Sequence, residues 1–447
     1  MNATKKLVNF IVNTRYEDLP SEGKRRAKEC ILDCIGVSLA GSVQPIAQIL
    51  ESYLKELGGT PRSTVVGLGV KTSPVNAALT NGTLGHALDY DDTALPAISH
   101  PTVTILPAVL AIGEMTGATG KEVLLAYILG YEVFCKVGAA VNPSHWYRGF
   151  HSTGTFGTYG AVSAASKLLK LDEEQVTNAF GIAASLASGL KQNIGTMTKP
   201  FHAGHAAEGG VKAALLAKKG FTAAKDVLEG RMGFANVLAD RHDFSVLEKL
   251  GHQWEIVDPA PFIKPHPSCA GTHAAMNAML SLIKEHDIKP DEVEHVDAGM
   301  NPGALEELIY TEPKDALEAK FSMQFCLAIL FLERKGGLAR HTDAKVRDPR
   351  IVELMKRITL YVDPELTESL PLEWVDKTAT VKVRLKDGRE YNRTADLPRL
   401  TWDEIREKYE ECASLALPEN KVKKSIDIVA GLEELKNLRS LIKVVHK

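Results

Sequence analysis

Through roughly the first 250 positions, apolar residues recur at intervals of three and four, the spacing that gathers them on one face of a helix. The pattern predicts helices over 21–40 closed by Gly41, over 45–57 closed by Gly58-Gly59, over 101–116 closed by Gly117, and over 121–141. Strand-like alternation is nearly absent there. Two further helices, over 157–171 and 200–219, are crowded with Gly, Ala and Ser. Side chains that small let helix axes approach closely, so these two are expected to cross near the centre of their domain.

The pattern changes at Pro259-Ala260-Pro261. Beyond it come a helix over 268–286, a strand over 295–300, and helices over 316–332 and 348–355. Alternating segments at 380–385 and 389–391 flank Lys386-Asp387-Gly388, a hairpin signal. From Thr401 the pattern is helical again, with breaks at Pro418 and Gly431, and 432–441 is expected to pack back on the first domain. The expected fold class is mostly α with a smaller α/β part. A large helical domain covers 1–259 and is completed by 399–447, with a mixed α/β domain inserted over 260–398.

A chain of 447 residues exceeds what one core usually supports, which agrees with two domains. The formal net charge is −3 and no run of five or six like charges occurs, so nothing marks a nucleic-acid or membrane-surface partner. Apolar runs such as 326–332 are too short to span a bilayer, and the N-terminal segment lacks the apolar core of a signal peptide. Six cysteines without C-x-x-C spacing are expected to be reduced and mostly buried, so the expected location is the cytoplasm.

Four positions carry candidate chemistry at expected helix starts. His100 precedes Pro101, His151 precedes Ser152-Thr153, Lys199 precedes Pro200, and His266 precedes Pro267-Ser268. First-turn N–H groups lack intrahelical partners, and with the helix dipole they attract anions. Each such residue, taken alone, is an ordinary loop residue; three His and one Lys so placed, beside an acidic run, 86–93, suit proton chemistry on a small polycarboxylate. Within that run Asp89, Asp91 and Asp92 allow three readings. Metal ligation needs converging oxygens, and no second acidic cluster stands out. A terpene-cyclase-like acid needs an aromatic pocket, and aromatic content is 6%. Orientation and acid/base work by one carboxylate, its neighbours capping or pairing with cations, fits the His and Lys placements best.

The segments 81–93, 100–101, 149–157, 195–202, 264–273 and 318–322, in that order and spacing, resemble the MmgE/PrpD family over essentially the whole chain. That family includes 2-methylcitrate dehydratases, cis-aconitate decarboxylases and iminodisuccinate epimerases. The resemblance implies that the inserted α/β domain is a lid, that the protein is a homodimer, and that its substrate is a small acyclic di- or tricarboxylate turned over with neither cofactor nor metal. Matched to the decarboxylase branch, the pocket residues are Asp89, Thr93, His100, His151, Lys199 and His273, with Cys269 close to the last. Between Thr93 and His100 the chain is one residue longer than that branch, while 195–200 is similar to the epimerase and decarboxylase branches alike.

The family's reactions share a proton moving at carbon next to a carboxylate, so charge gathers on carboxylate oxygens that cations must hold. Lys199 with the helix at Pro200 is the first choice for that role, and His151 with Ser152 and Thr153 the second. His100 and His273 are the expected acid and base. Asp89 would orient a His, and Thr93 would donate to substrate. His86 reads as structural, and His202 and His205 as packing or supporting residues. Lyase and epimerase outcomes both remain, as does a metabolite-binding protein without catalysis.

Overall fold

The computed structural model describes residues 2–369 and 377–446. Residues up to Ile263 form one compact unit with those from Thr401 onward, and Lys264–Leu400 forms a second. The first stretch is built from α1 (Ala3–Asn13), α2 (Ser21–Gly41), α3 (Pro45–Leu57), α4 (Pro74–His86), α5 (Thr102–Thr116) and α6 (Gly120–Val141). Then follow α7 (Ser144–Tyr147), α8 (Ser152–Leu168), α9 (Glu173–Leu186), α10 (Thr198–Lys218) and α11 (Phe234–Leu238). A short ribbon, β1 (Ser63–Thr64) with β2 (Lys71–Thr72), is antiparallel.

Local chemistry sets the boundaries. Pro74 occupies the first turn of α4 after Ser73, whose hydroxyl accepts from the Asn76 N–H. Thr119 and Glu122 form a capping box for α6, and Gly117 in the left-handed region ends α5. Every residue of α5 from Thr102 to Glu114 is buried, as befits a helix apolar on all sides. Around it α8 and α10 cross, as their small residues predict. A Cβ on Gly157 would stand 2.9 Å from the Ala206 Cβ, and one on Gly210 would stand 2.5 Å from the Ala161 Cβ. Against α4 the approach is closer still: a Cβ on Gly82 would lie 2.7 Å from the Gly204 Cα. These contacts leave no room for larger residues and fix α4, which leads into the acidic run. One continuous helix among the described residues, α6, has the length and composition to cross a membrane, which the short apolar runs do not suggest; 89% of its apolar window is buried inside the protein.

In the second unit, a 3-10 turn at Ala270–Thr272 leads into α12 (His273–His286), followed by β3 (Val293–Met300), α13 (Pro302–Glu307), α14 (Ala316–Ala319) and α15 (Met323–Glu333). Then come α16 (Asp343–Val346), α17 (Pro349–Met355), β4 (Ile358–Val362), α18 (Pro364–Ser369), β5 (Thr378–Leu385) and β6 (Glu390–Asp396). The sheet order is β4-β3-β5-β6, with β3 parallel to β4 and antiparallel to β5. The hairpin at Lys386-Asp387-Gly388 joins β5 to β6. Two expectations need correction. The helix expected from 268 begins at His273, because 267–269 is spent in turns, so His266 does not open a helix. The helix expected over 316–332 is two, since Ser322 caps a fresh start at Met323.

The chain then returns to the first unit as α19 (Trp402–Ala413), α20 (Glu419–Ala430) and α21 (Arg439–Ile442). Gly36 of α2 makes the docking of α19 possible, since a Cβ there would stand 2.9 Å from the Tyr409 ring. The Leu438 N–H donates to the Ala118 carbonyl and the Gly120 N–H to the Leu435 carbonyl, both at 2.8 Å.

Candidate active site

The acidic run is the connection from α4 to α5, and its backbone is forced into an unusual course. Asp89 has φ +51, left-handed and rare for a residue with a side chain, and its N–H donates to the His86 carbonyl at 3.1 Å. Thr93 exchanges two backbone hydrogen bonds with Phe262, each 2.9 Å. Between these anchors the Asp89 and Asp91 carboxylates face Lys and His side chains.

His86 Nδ1 stands 2.8 Å from Asp91 Oδ1, and His100 Nδ1 stands 2.9 Å from Asp91 Oδ2, so one buried carboxylate joins two imidazoles. On its other edge His100 Nε2 lies 3.7 Å from Asp89 Oδ1, and Lys199 Nζ is 2.6 Å from that same oxygen. The His86 and His100 rings are 4.4 Å apart, and the His151 ring stacks at 6.0 Å on His86. His151 Nδ1 is 3.0 Å from His202 Nδ1, so one ring donates to the other. The His100 backbone N–H donates to Thr153 Oγ1 at 3.1 Å, tying the start of α5 to the start of α8. Thr93 Oγ1 is buried and has no hydrogen-bond partner among the described residues, which suits a donor to substrate.

Electrostatics follow from this wiring. Burial alone would raise the Asp91 carboxyl, yet the charges of His86 and His100 and hydrogen bonds to both hold it well below the usual range. Burial lowers His86, and Lys199 adds to that, while Asp91 pulls the other way. His151 is pushed well below an ordinary imidazole by burial, then by Lys199 and its His neighbours, so it is neutral at physiological pH. His202 is pushed down to about 4, again chiefly by burial.

The structure therefore brings Asp89, His100, His151, Lys199 and Thr153 into one cluster of the first unit. Lys199 lies inside the first turn of α10, which starts one residue earlier at Thr198, and not before it. His151 is the N-cap residue of α8. The Ser152 hydroxyl accepts a long contact, 3.5 Å, from Asn142 Nδ2. His273 belongs to the second unit, where Nδ1 faces the Cys269 carbonyl at 3.0 Å and Nε2 the His266 carbonyl at 3.1 Å. Cys269 Sγ lies 2.9 Å from Glu307 Oε2. Asp89, expected to orient a His, lies 3.7 Å from His100, while Asp91 lies nearer to it at 2.9 Å, and His86 is part of the same network.

His86, Asp89, Asp91 and His100 offer ligand atoms that all lie within 4.8 Å of one another, so these four would hold a cation if any group here did. The donor set speaks for a different use. The Lys199 ammonium already neutralises Asp89, and each Asp91 oxygen faces an imidazole nitrogen, so these carboxylate oxygens are already engaged by protein groups.

Comparison with known proteins adds a family. Residues 5–247 match the model of the MmgE/PrpD N-terminal domain and residues 266–434 that of the MmgE/PrpD C-terminal domain. The chain is 28% identical over 430 residues to the cis-aconitate decarboxylase of Homo sapiens, covering 92% of this chain and 88% of that protein. It is 26% identical over 468 residues to the cis-aconitate decarboxylase of Mus musculus, covering 99% and 93%. To the cis-aconitate decarboxylase of Aspergillus terreus (strain NIH 2624 / FGSC A1156) it is 26% identical over 474 residues, covering 99% and 96%.

Proposed function

Because the chain belongs to the MmgE/PrpD family, we propose that it is a cofactor-independent lyase of a small acyclic polycarboxylate, and that its reaction is the decarboxylation of cis-aconitate or a close analogue. The observation that carries this reading is the buried Lys199 ammonium beside Asp89 and the Asp91-bound His100. As the bond to the departing CO₂ breaks, its electron pair passes through the adjacent double bond and charge spreads onto a remaining carboxylate. Lys199, a fixed cation in a site shielded from water, attracts that charge more strongly than it attracts the ground state. His100 then delivers a proton to carbon from Nε2, the nitrogen turned away from Asp91, and recovers it from solvent. His151, Ser152 and Thr153 at the start of α8 bind a second carboxylate, and the Thr93 hydroxyl donates to substrate.

The test is incubation of purified protein with cis-aconitate, 2-methylcitrate and iminodisuccinate in deuterated water. CO₂ release with one deuterium in the product from cis-aconitate is the expected result. Deuterium entering iminodisuccinate without any bond breaking would replace this reading with an epimerase. Binding without exchange in all three would make the protein a non-catalytic metabolite binder. Sedimentation of the same preparation tests the homodimer expected of the family.

A further inference from the structure

Lys408, on the returning helix α19, lies 318 residues from the acidic run in sequence and touches it in space. Its Nζ donates to the Tyr90 carbonyl at 2.7 Å, pairs with Asp33 Oδ1 of α2 at 2.6 Å, and sits 3.8 Å from the centre of the Tyr90 ring. An ammonium has three N–H groups and no lone pair, so a carbonyl, a carboxylate and a ring face are three suitable recipients. All three residues are buried. The Tyr90 carbonyl belongs to the peptide plane between Tyr90 and Asp91. Gripping it fixes the backbone immediately after the left-handed Asp89 and immediately before Asp91.

A buried Lys–Asp pair is ordinarily read as fold support, and the pair with Asp33 accounts for the charge. The bond to the Tyr90 carbonyl is a separate matter. A left-handed residue with a side chain relaxes to an ordinary conformation unless its surroundings over-determine it. Upstream the hydrogen bond to His86 does so, and at Thr93 the pairing with Phe262 does so; Lys408 acts between them.

We infer that Lys408 is a positioning residue: by holding the Tyr90 carbonyl from the returning helix, it keeps Asp89 left-handed and its carboxylate on Lys199. This rests on the reading above, in which Asp89 and Lys199 serve the reaction. Lys408→Met alone leaves Asp33 buried without its counter-ion, a change that unfolds many proteins. The decisive variant is therefore Lys408→Met/Asp33→Asn, which removes the charged pair and spares the fold that penalty. Its melting temperature is expected within a few degrees of wild type, while kcat falls about ten- to hundredfold, the scale of an ångström-sized misplacement. Its crystal structure should show Asp89 outside the left-handed region. Lys408→Arg, which keeps a donor for the carbonyl, should recover part of the lost kcat. A double variant with wild-type kcat, or one whose Asp89 remains left-handed, overturns the inference. Should the wild-type protein turn over none of the polycarboxylates, the functional reading fails, and the Asp89 conformation in the double variant still decides this one.

Discussion

In the first unit His86 and His100 share the two oxygens of Asp91, whereas in the second unit His273 turns both ring nitrogens to backbone carbonyls. The two arrangements treat a proton differently. A carboxylate carries the charge that offsets an imidazolium, so a ring bonded to it can gain and release a proton without stranding a buried charge. Carbonyls orient a ring but bring no countercharge. His273 accordingly sits well below an ordinary imidazole, held there by burial and then by His266 and Lys264, with its bonds to the backbone opposing only in part. Two buried histidines flanked by lysines thus differ in their surroundings, because one has an acid behind it and the other has backbone carbonyls.

The sharpest way to break this comparison is His100→Gln, which keeps polarity and approximate bulk but cannot titrate. Turnover of the substrate identified in deuterated water is expected to fall by about two to four orders of magnitude, the range of a lost acid/base group. A near-normal rate would move the chemistry away from Asp91. Next in size is Lys199→Ala: kcat should fall at least about a hundredfold, the scale of one lost charge-stabilising donor. For His273→Gln, steady-state kinetics beside thermal melts should show kcat within about tenfold of wild type and a lowered melting temperature. A loss as deep as that of His100→Gln would mean that both histidines move protons.

Acid titration of stability sharpens the contrast further. Burial pushes His145 and His202 down to about 4, so the unfolded chain binds their protons from about pH 6.5 while the folded chain does not. Protons bound only by the unfolded state favour unfolding. The melting temperature should therefore fall as pH drops from about 6.5 toward 4, and His145→Gln should flatten part of that slope. Asp91, whose carboxyl is depressed, keeps its contribution through that window and loses it only at more acid pH. The smallest expected effect is that of EDTA: activity unchanged after prolonged treatment, because Lys199 and the imidazoles already engage the carboxylates. Loss restored by a divalent ion would turn the four ligand atoms near Asp91 into a metal site.

Most of the fold was legible because apolar spacing and Gly or Pro punctuation act locally. The helix expected over 45–57 is α3 to the residue, and α5 and α6 begin within one residue of expectation. At His266 the same rule failed: Pro267 and Ser268 serve turns as readily as a helix start, and nothing local decides between them. Within the site His100, His151 and Lys199 stood out by their neighbours. The pairing of His100 with Asp91 did not, because three aspartates stand within four positions and nothing local tells which of them faces the ring. Lys408 gave no sign at all. On an amphipathic helix it is one lysine among charged residues, and its partners come from α2 and the acidic run.

The docking of α19 on α2 has a temporal side. A ribosome makes Asp33, the acidic run and α10 long before it reaches residue 408, and all of the second unit emerges in between. Until then Asp33 lacks the ammonium that neutralises it, and the groove at Gly36 that receives Tyr409 stays bare. Nascent chains of this protein therefore reach their working form only once α19 has emerged, and a chain released before that carries an exposed seam that chaperones and proteases can recognise.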